Sequence, residues 1–176
     1  MKSLLGAATA LLVVGFAAPS FAAATASDSS TVTAKIIRPI SVTKNADLAF
    51  GTIVRPTVGG GSSVVAVDTA GSRSVTGGDA VALGTTTAAA AQFTIAGEGG
   101  QSISVTVPAT FDLGGPGTVT VTTTNDMSGS AASQLLNGSL GGGGSLVVKV
   151  GGSFTVTDST ATGDYTGTLT VSSSYN

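Results

Sequence analysis

Beyond residue 30, apolar and polar positions alternate with a period of two through most of the chain. The clearest case is the end, where Tyr165, Leu169, Val171 and Tyr175 fall on one face and Thr166, Thr168, Thr170 and Ser172 on the other. That period is the signature of a half-buried strand, because successive side chains of an extended backbone point to opposite sides. Alternating or Val/Ile/Thr-rich runs recur at about 31–37, 40–43, 47–54, 63–67, 72–75, 91–96, 102–107, 118–123, 145–150, 153–157 and 164–175. Between them lie Gly59–Ser63, Gly77–Asp79, Gly97–Gly100, Gly114–Gly117, Gly141–Gly144 and Gly151-Gly152, which supply turn chemistry. Only Ala88–Ala91 and Ala131–Leu136 have helical character, and both are too short to stand alone. Short strands spaced by roughly ten residues predict an all-β, antiparallel sandwich. The eleven runs exceed the seven or so of a minimal sandwich, so some must merge or be irregular.

Two segments have apolar faces whose partners are open. Val32, Ala34 and Ile36 share one side of the run from Thr31 to Ile37, and Pro39, which cannot donate a ladder hydrogen bond, separates it from Ile40 and Val42. Ala23–Ser30 before it is small and polar. Such an arm either forms the first strand of its own domain or reaches into another sheet. The last strand, 164–175, is either completed by earlier residues or leaves an edge for another chain.

The first 22 residues read as a cleaved export signal. Lys2 supplies a positive start, Leu4–Phe16 an apolar stretch too short to span a bilayer, and Ser20-Phe21-Ala22 a small-x-small cleavage site. The expected organisation is a signal peptide over 1–22, an N-terminal arm and candidate donor strand over 23–37, and a β-domain over 38–176. No later apolar stretch is long enough to anchor the mature chain in a membrane. About 154 residues suit a single domain that holds together by burial alone, as an exported protein with no cysteine must.

Composition removes several function classes. Without the leader, six basic and nine acidic side chains remain, a net charge of −3, and charged residues make up only 9% of the chain. Nucleic acid is disfavoured, since no basic cluster exists to displace counterions. The chain has no histidine and no cysteine, which removes the commonest general base, the thiol nucleophile and the soft-metal ligands together. Lys35, Lys44 and Lys149 lie in or beside strands without an S-x-x-K pattern and read as solvated or edge-guarding charges. Asp79, Glu98, Asp112, Asp126, Asp158 and Asp164 sit in or beside turns, where carboxylates bond backbone; Asp158 with Asp164 comes nearest to an ion site. The glycine clusters lack the Lys-Ser/Thr of a phosphate loop. The expectation is a protein that is not an enzyme and uses no cofactor or metal.

Pro39-Ile-Ser-Val42, Leu48-Ala-Phe-Gly51, Gly71-Ser-Arg73, Phe93–Glu98 and the ending Gly163-Asp-Tyr-Thr-Gly-Thr-Leu-Thr-Val with Tyr175-Asn176 resemble the bacterial family of domains of unknown function DUF4402. Similar endings occur in spore coat U domains and chaperone–usher pilins, incomplete immunoglobulin-like sandwiches completed by a strand from a chaperone or the next subunit. The resemblance implies that Val32, Ala34 and Ile36 fill a neighbour's groove, and that Leu169, Val171 and Tyr175 lie on the strand where a periplasmic chaperone pairs. It further implies identical or related subunits and an outer-membrane usher as partners, with a route through the periplasm to a cell-surface or extracellular fibre. Many of those relatives carry a cysteine just after the donor strand, where this chain has Arg38-Pro39-Ile40. The alternative is a monomeric secreted or surface-attached binding domain with Thr31–Ile37 folded at home and its loops meeting a ligand.

Overall fold

A computed structural model describes residues 25–84, 87–128, 131 and 133–176. The predicted signal peptide lies outside them. The chain divides into two units, Met1–Lys35 and Ile36–Asn176. In the first, residues 25–35 carry no strand.

The second unit is all-β among its described residues, and every strand pairing is antiparallel. Its strands are β1 (Ser41–Ala46), β2 (Ile53–Val54), β3 (Ser63–Val67), β4 (Arg73–Thr76), β5 (Val81–Ala82), β6 (Ala91–Glu98), β7 (Ser102–Thr106), β8 (Thr110–Gly114), β9 (Thr118–Asn125), β10 (Gln134–Leu135), β11 (Gly143–Val156) and β12 (Ser172–Tyr175). A seven-stranded sheet runs β1-β6-β11-β3-β4, with β9 also on β11 and β8 on β9. A three-stranded sheet runs β10-β7-β12, and β2 pairs with β5.

β11 organises the larger sheet. It pairs with β6 through Gly143–Val150 and with β3 through Gly152–Val156, while β9 joins it over Val150–Ser153. Because Val150 faces both Ala91 and Asn125, and Gly152 both Val67 and Thr123, β6 and β3 share one edge and β9 takes the other. Gly151-Gly152, predicted as a turn between two strands, is instead the middle of one. A Cβ on Gly151 would strike the Val67 carbonyl oxygen, and one on Gly152 would lie 2.8 Å from Val121 Cγ1. The diglycine lets three strands converge on one point.

Core positions follow the alternation. Phe93 and Ile95 of β6 and Val148 and Val150 of β11 pack with Ile103 and Val105 of β7, Leu136 and Val171, so the two larger sheets share one apolar cluster. Other expectations needed adjustment. Only Ser172–Tyr175 of the predicted 164–175 strand pairs with β7, and Thr166 forms a single bridge to Gly114. The run 47–54 is reduced to the Ala49 bridge and the short β2. β5, β8 and β10 were not predicted, and β10 lies in the stretch 131–136, whose helical character is too short to stand alone. Lys149, read as an edge or solvated charge, is exposed on the central strand β11, while Lys44 lies on the edge strand β1 beside Asp47 at 2.6 Å.

Candidate functional site

Two stretches of backbone face each other with no strand among the described residues between them. The first is β1 and its continuation to Arg55; β1 pairs with β6 on one side and forms the end of its sheet on the other. The second is Thr160–Tyr175, whose residues 167–170 belong to no ladder among the described residues. Between them opens a groove of about 1080 Å³, lined on one side by residues between Lys44 and Arg55 and on the other by residues 160–169, and floored by β6, β8, β9 and β11.

The floor is apolar and aromatic. Phe50, Phe93, Phe111 and Phe154 line it together with Leu48, Leu113, Val156 and Leu169, and these are all the phenylalanines beyond residue 22. Strand alternation places them there: Phe111 and Leu113 are the inward positions of β8, and Phe154 and Val156 those of the end of β11. Phe50 meets Phe154 edge-on, with ring centroids 4.9 Å apart and planes at 85°, a geometry favoured by the aromatic quadrupole. Phe93 and Val156 are buried, whereas the other six apolar side chains named here keep partial solvent access. A folded domain leaving so many large apolar groups half-covered is a surface that gains by being covered.

The two stretches are tied at both ends, at one of them beyond the residues that line the groove. At one end the Tyr175 hydroxyl donates to the Arg38 carbonyl at 2.9 Å and accepts the Glu98 N–H at 2.6 Å. At the other, Arg55 Nη1 donates to the Thr160 carbonyl at 2.9 Å. Arg38 thus stands opposite Tyr175, and Arg55 opposite Thr160, so the two walls run antiparallel. The Arg38 end has further support: buried Glu98 accepts the Arg38 and Gly141 backbone N–H groups, and the Arg38 guanidinium approaches Glu98 at 3.9 Å.

Sequence-predicted partner residues divide into two groups. Leu169, half-buried, lines the groove, whereas Val171 is buried in the core cluster and Tyr175 is half-buried against that cluster, beyond the groove lining. On the arm, Ala34 is exposed, and Val32 and Ile36 are 90% and 93% exposed. Sequence reasoning missed Phe111 and Leu113, although the alternation Thr110-Phe-Asp-Leu-Gly114 carries the same signal as the runs it recognised.

Carboxylates act within the fold. Asp79 accepts from Thr57 N and Oγ1, Asp68 from Ala70 and Ser72 N–H, Asp112 from Thr120 Oγ1, Asp126 from Lys149 N–H and Asp158 from Gly59 N–H. Among the described residues no three His, Cys, Asp or Glu side chains come together in a metal-holding arrangement.

The model of a family described as a domain of unknown function (DUF4402) matches residues 40–175. The chain belongs to this family. No curated protein and no solved structure matches it. The DUF4402 match begins one residue after Pro39, so it covers both groove walls and excludes the arm. Several residues that carried the DUF4402 resemblance have structural tasks here. Arg73 donates to the Phe50 and Leu83 carbonyls at 2.7 and 2.6 Å, Gly51 has φ of 71°, and Tyr165 donates to the Ala161 carbonyl at 2.8 Å.

Proposed function

We propose that this protein is a structural subunit of an extracellular fibre or surface coat, assembled when Thr31–Ile37 of one copy enters the groove of another. The observation that carries the reading is the groove itself, an aromatic-floored slot between two wall backbones that no strand among the described residues occupies. On this reading the domain is an immunoglobulin-like sandwich lacking one strand, preceded by a cleaved signal peptide. It passes through the periplasm of a Gram-negative bacterium, where a chaperone strand occupies the slot until an usher exchanges it for the arm of the next subunit.

The physics supports exchange. An inserted strand satisfies open backbone groups and adds main-chain hydrogen bonds, the mode of recognition used in strand addition. Val32 and Ile36 are almost fully exposed in the arm, and burying each is worth roughly 1.5–3 kcal/mol. Because donor and slot are different surfaces, the contact is heterologous and need not close, which yields filaments. The domain itself acts as scaffold and binding partner, with no catalytic step.

Thermal unfolding tests this directly. A chain beginning at Arg38 should be unstable alone and gain many degrees in Tm with a peptide covering Ala23–Ile37. Cooperative melting at the mature protein's temperature, indifferent to the peptide, would favour instead a monomeric surface-binding domain.

A further inference from the structure

The two ends of the slot are not equivalent, because one is also the root of the chain's own arm. Arg38 lies one residue after Ile37, and both of its backbone groups are engaged: the N–H by buried Glu98 and the carbonyl by Tyr175. β1, which begins three residues after Arg38, and β12, which carries Tyr175, have Cα atoms within 8 Å of each other. A strand interposed between two others needs its flanks about 9.5 Å apart, twice the ordinary interstrand spacing. No strand fits between the walls at this end.

That narrowing bears on self-insertion. To occupy its own slot, the arm would have to turn back at Arg38 and pass Ile37 and Ile36 between β1 and β12, where the walls are closest. An arm arriving from another molecule has no such root and enters where the walls stand apart, beside Phe50, Phe111 and Phe154. We infer that the Tyr175 tie, supported by Glu98, is a lock against self-closure: it seals the slot where the chain's own arm is rooted and leaves that arm to a second copy. This rests on the strand-exchange reading above and adds to it the residues that make exchange intermolecular.

The test uses the mature chain, Ala23–Asn176, and exploits its tryptic sites. Lys35 is the only basic residue of the arm, and the Arg38-Pro39 bond resists trypsin, so cleavage after Lys35 reports whether the arm is covered. The wild type should form multimers with a protected arm, and its monomer fraction should be cut at Lys35. Glu98→Gln, which weakens one acceptor of the lock, should raise the fraction of monomer with a protected arm by about tenfold, the equilibrium value of one lost hydrogen bond, and Tyr175→Phe, which removes two hydrogen bonds, by at least as much. Insertion of about ten Gly/Ser residues between Ile37 and Arg38 alters no residue of the domain and lets the arm bypass the sealed end. It should give almost entirely monomer with a protected arm.

A wild-type monomer already protected at Lys35 would overturn the lock, since the arm would then fold home with the tie intact. So would an insertion variant and a Tyr175→Phe variant that multimerise as the wild type does, while the exchange reading survived. A wild type that neither multimerises nor, when cut back to Arg38, responds to the arm peptide would remove both.

Discussion

The Tyr175 hydroxyl stands where a Cβ on Gly97 would be. The glycine of β6 is therefore the space through which the last strand reaches Glu98 N–H and the Arg38 carbonyl. Gly97→Ala should displace the ring and break both hydrogen bonds, destabilising the domain by about 1–3 kcal/mol. Tyr175→Phe keeps the ring and should cost about 1–2 kcal/mol. Urea unfolding of the two variants checks the order.

The convergence of β3, β9 and β11 at the diglycine makes a sharper prediction. Gly151→Ala places a methyl against the Val67 carbonyl oxygen, so one ladder must separate. A loss of about 2–3 kcal/mol is expected, with hydrogen exchange accelerated at Val65 and Val67 of β3. Unchanged protection there would show that the strands yield more easily than their register implies.

Glu98 is 3% exposed and holds Arg38 and Gly141 through their N–H groups. Glu98→Gln preserves volume but removes the charge and replaces one acceptor by a donor. The expected cost is about 1–3 kcal/mol, typical of a buried hydrogen-bonded charge. Glu98→Ala should cost more, because it removes both acceptors and leaves a cavity where a buried side chain stood. Equilibrium denaturation of both variants provides the comparison.

Charge placed in either the slot or the arm should block their association. Leu169→Arg, at a half-buried wall position, should leave the domain folded but abolish capture of the Ala23–Ile37 peptide, measured by calorimetry. Val32→Asp with Ile36→Asp should leave the Tm of the isolated domain unchanged, since both side chains are almost fully exposed, yet prevent multimers seen by light scattering. Assembly surviving both arm substitutions would place the contact elsewhere.

Arg73 makes a prediction about shape. Its guanidinium holds the Phe50 and Leu83 carbonyls together, and Phe50 forms one side of the groove against Phe154. Arg73→Lys keeps the charge but loses the fork that reaches two acceptors. Peptide affinity should fall several-fold while the melting temperature changes by only a few degrees.

Much of the β architecture was legible in the chain. Period-two alternation located β3, β4, β6, β7 and β9 to within a residue or two, because burial of one face imposes that period on any half-covered strand. The period also marked Leu169, Val171 and Tyr175, which are at least half-buried, whereas Val32, Ala34 and Ile36 carry it in an exposed stretch that forms no strand. Phe111 and Leu113 carried the alternation too, in a run short enough to pass for loop between two proline-containing turns.

The rest depended on which strands meet. A glycine pair reads as a turn locally; only the approach of β3 and β9 from opposite sides makes Gly151-Gly152 the centre of a fourteen-residue strand. Likewise, alternation marks 164–175 as an extended segment but is indifferent to its neighbours, and residues 167–170 cross between the Thr166 bridge and β12 without joining a ladder. Local sequence determined the strands and their faces, because side-chain direction is a property of the backbone of each segment. The gathering of four phenylalanines into one groove, and its closure at the Tyr175 end, were decided by tertiary structure, because both arise from pairings between residues tens of positions apart that no local pattern encodes.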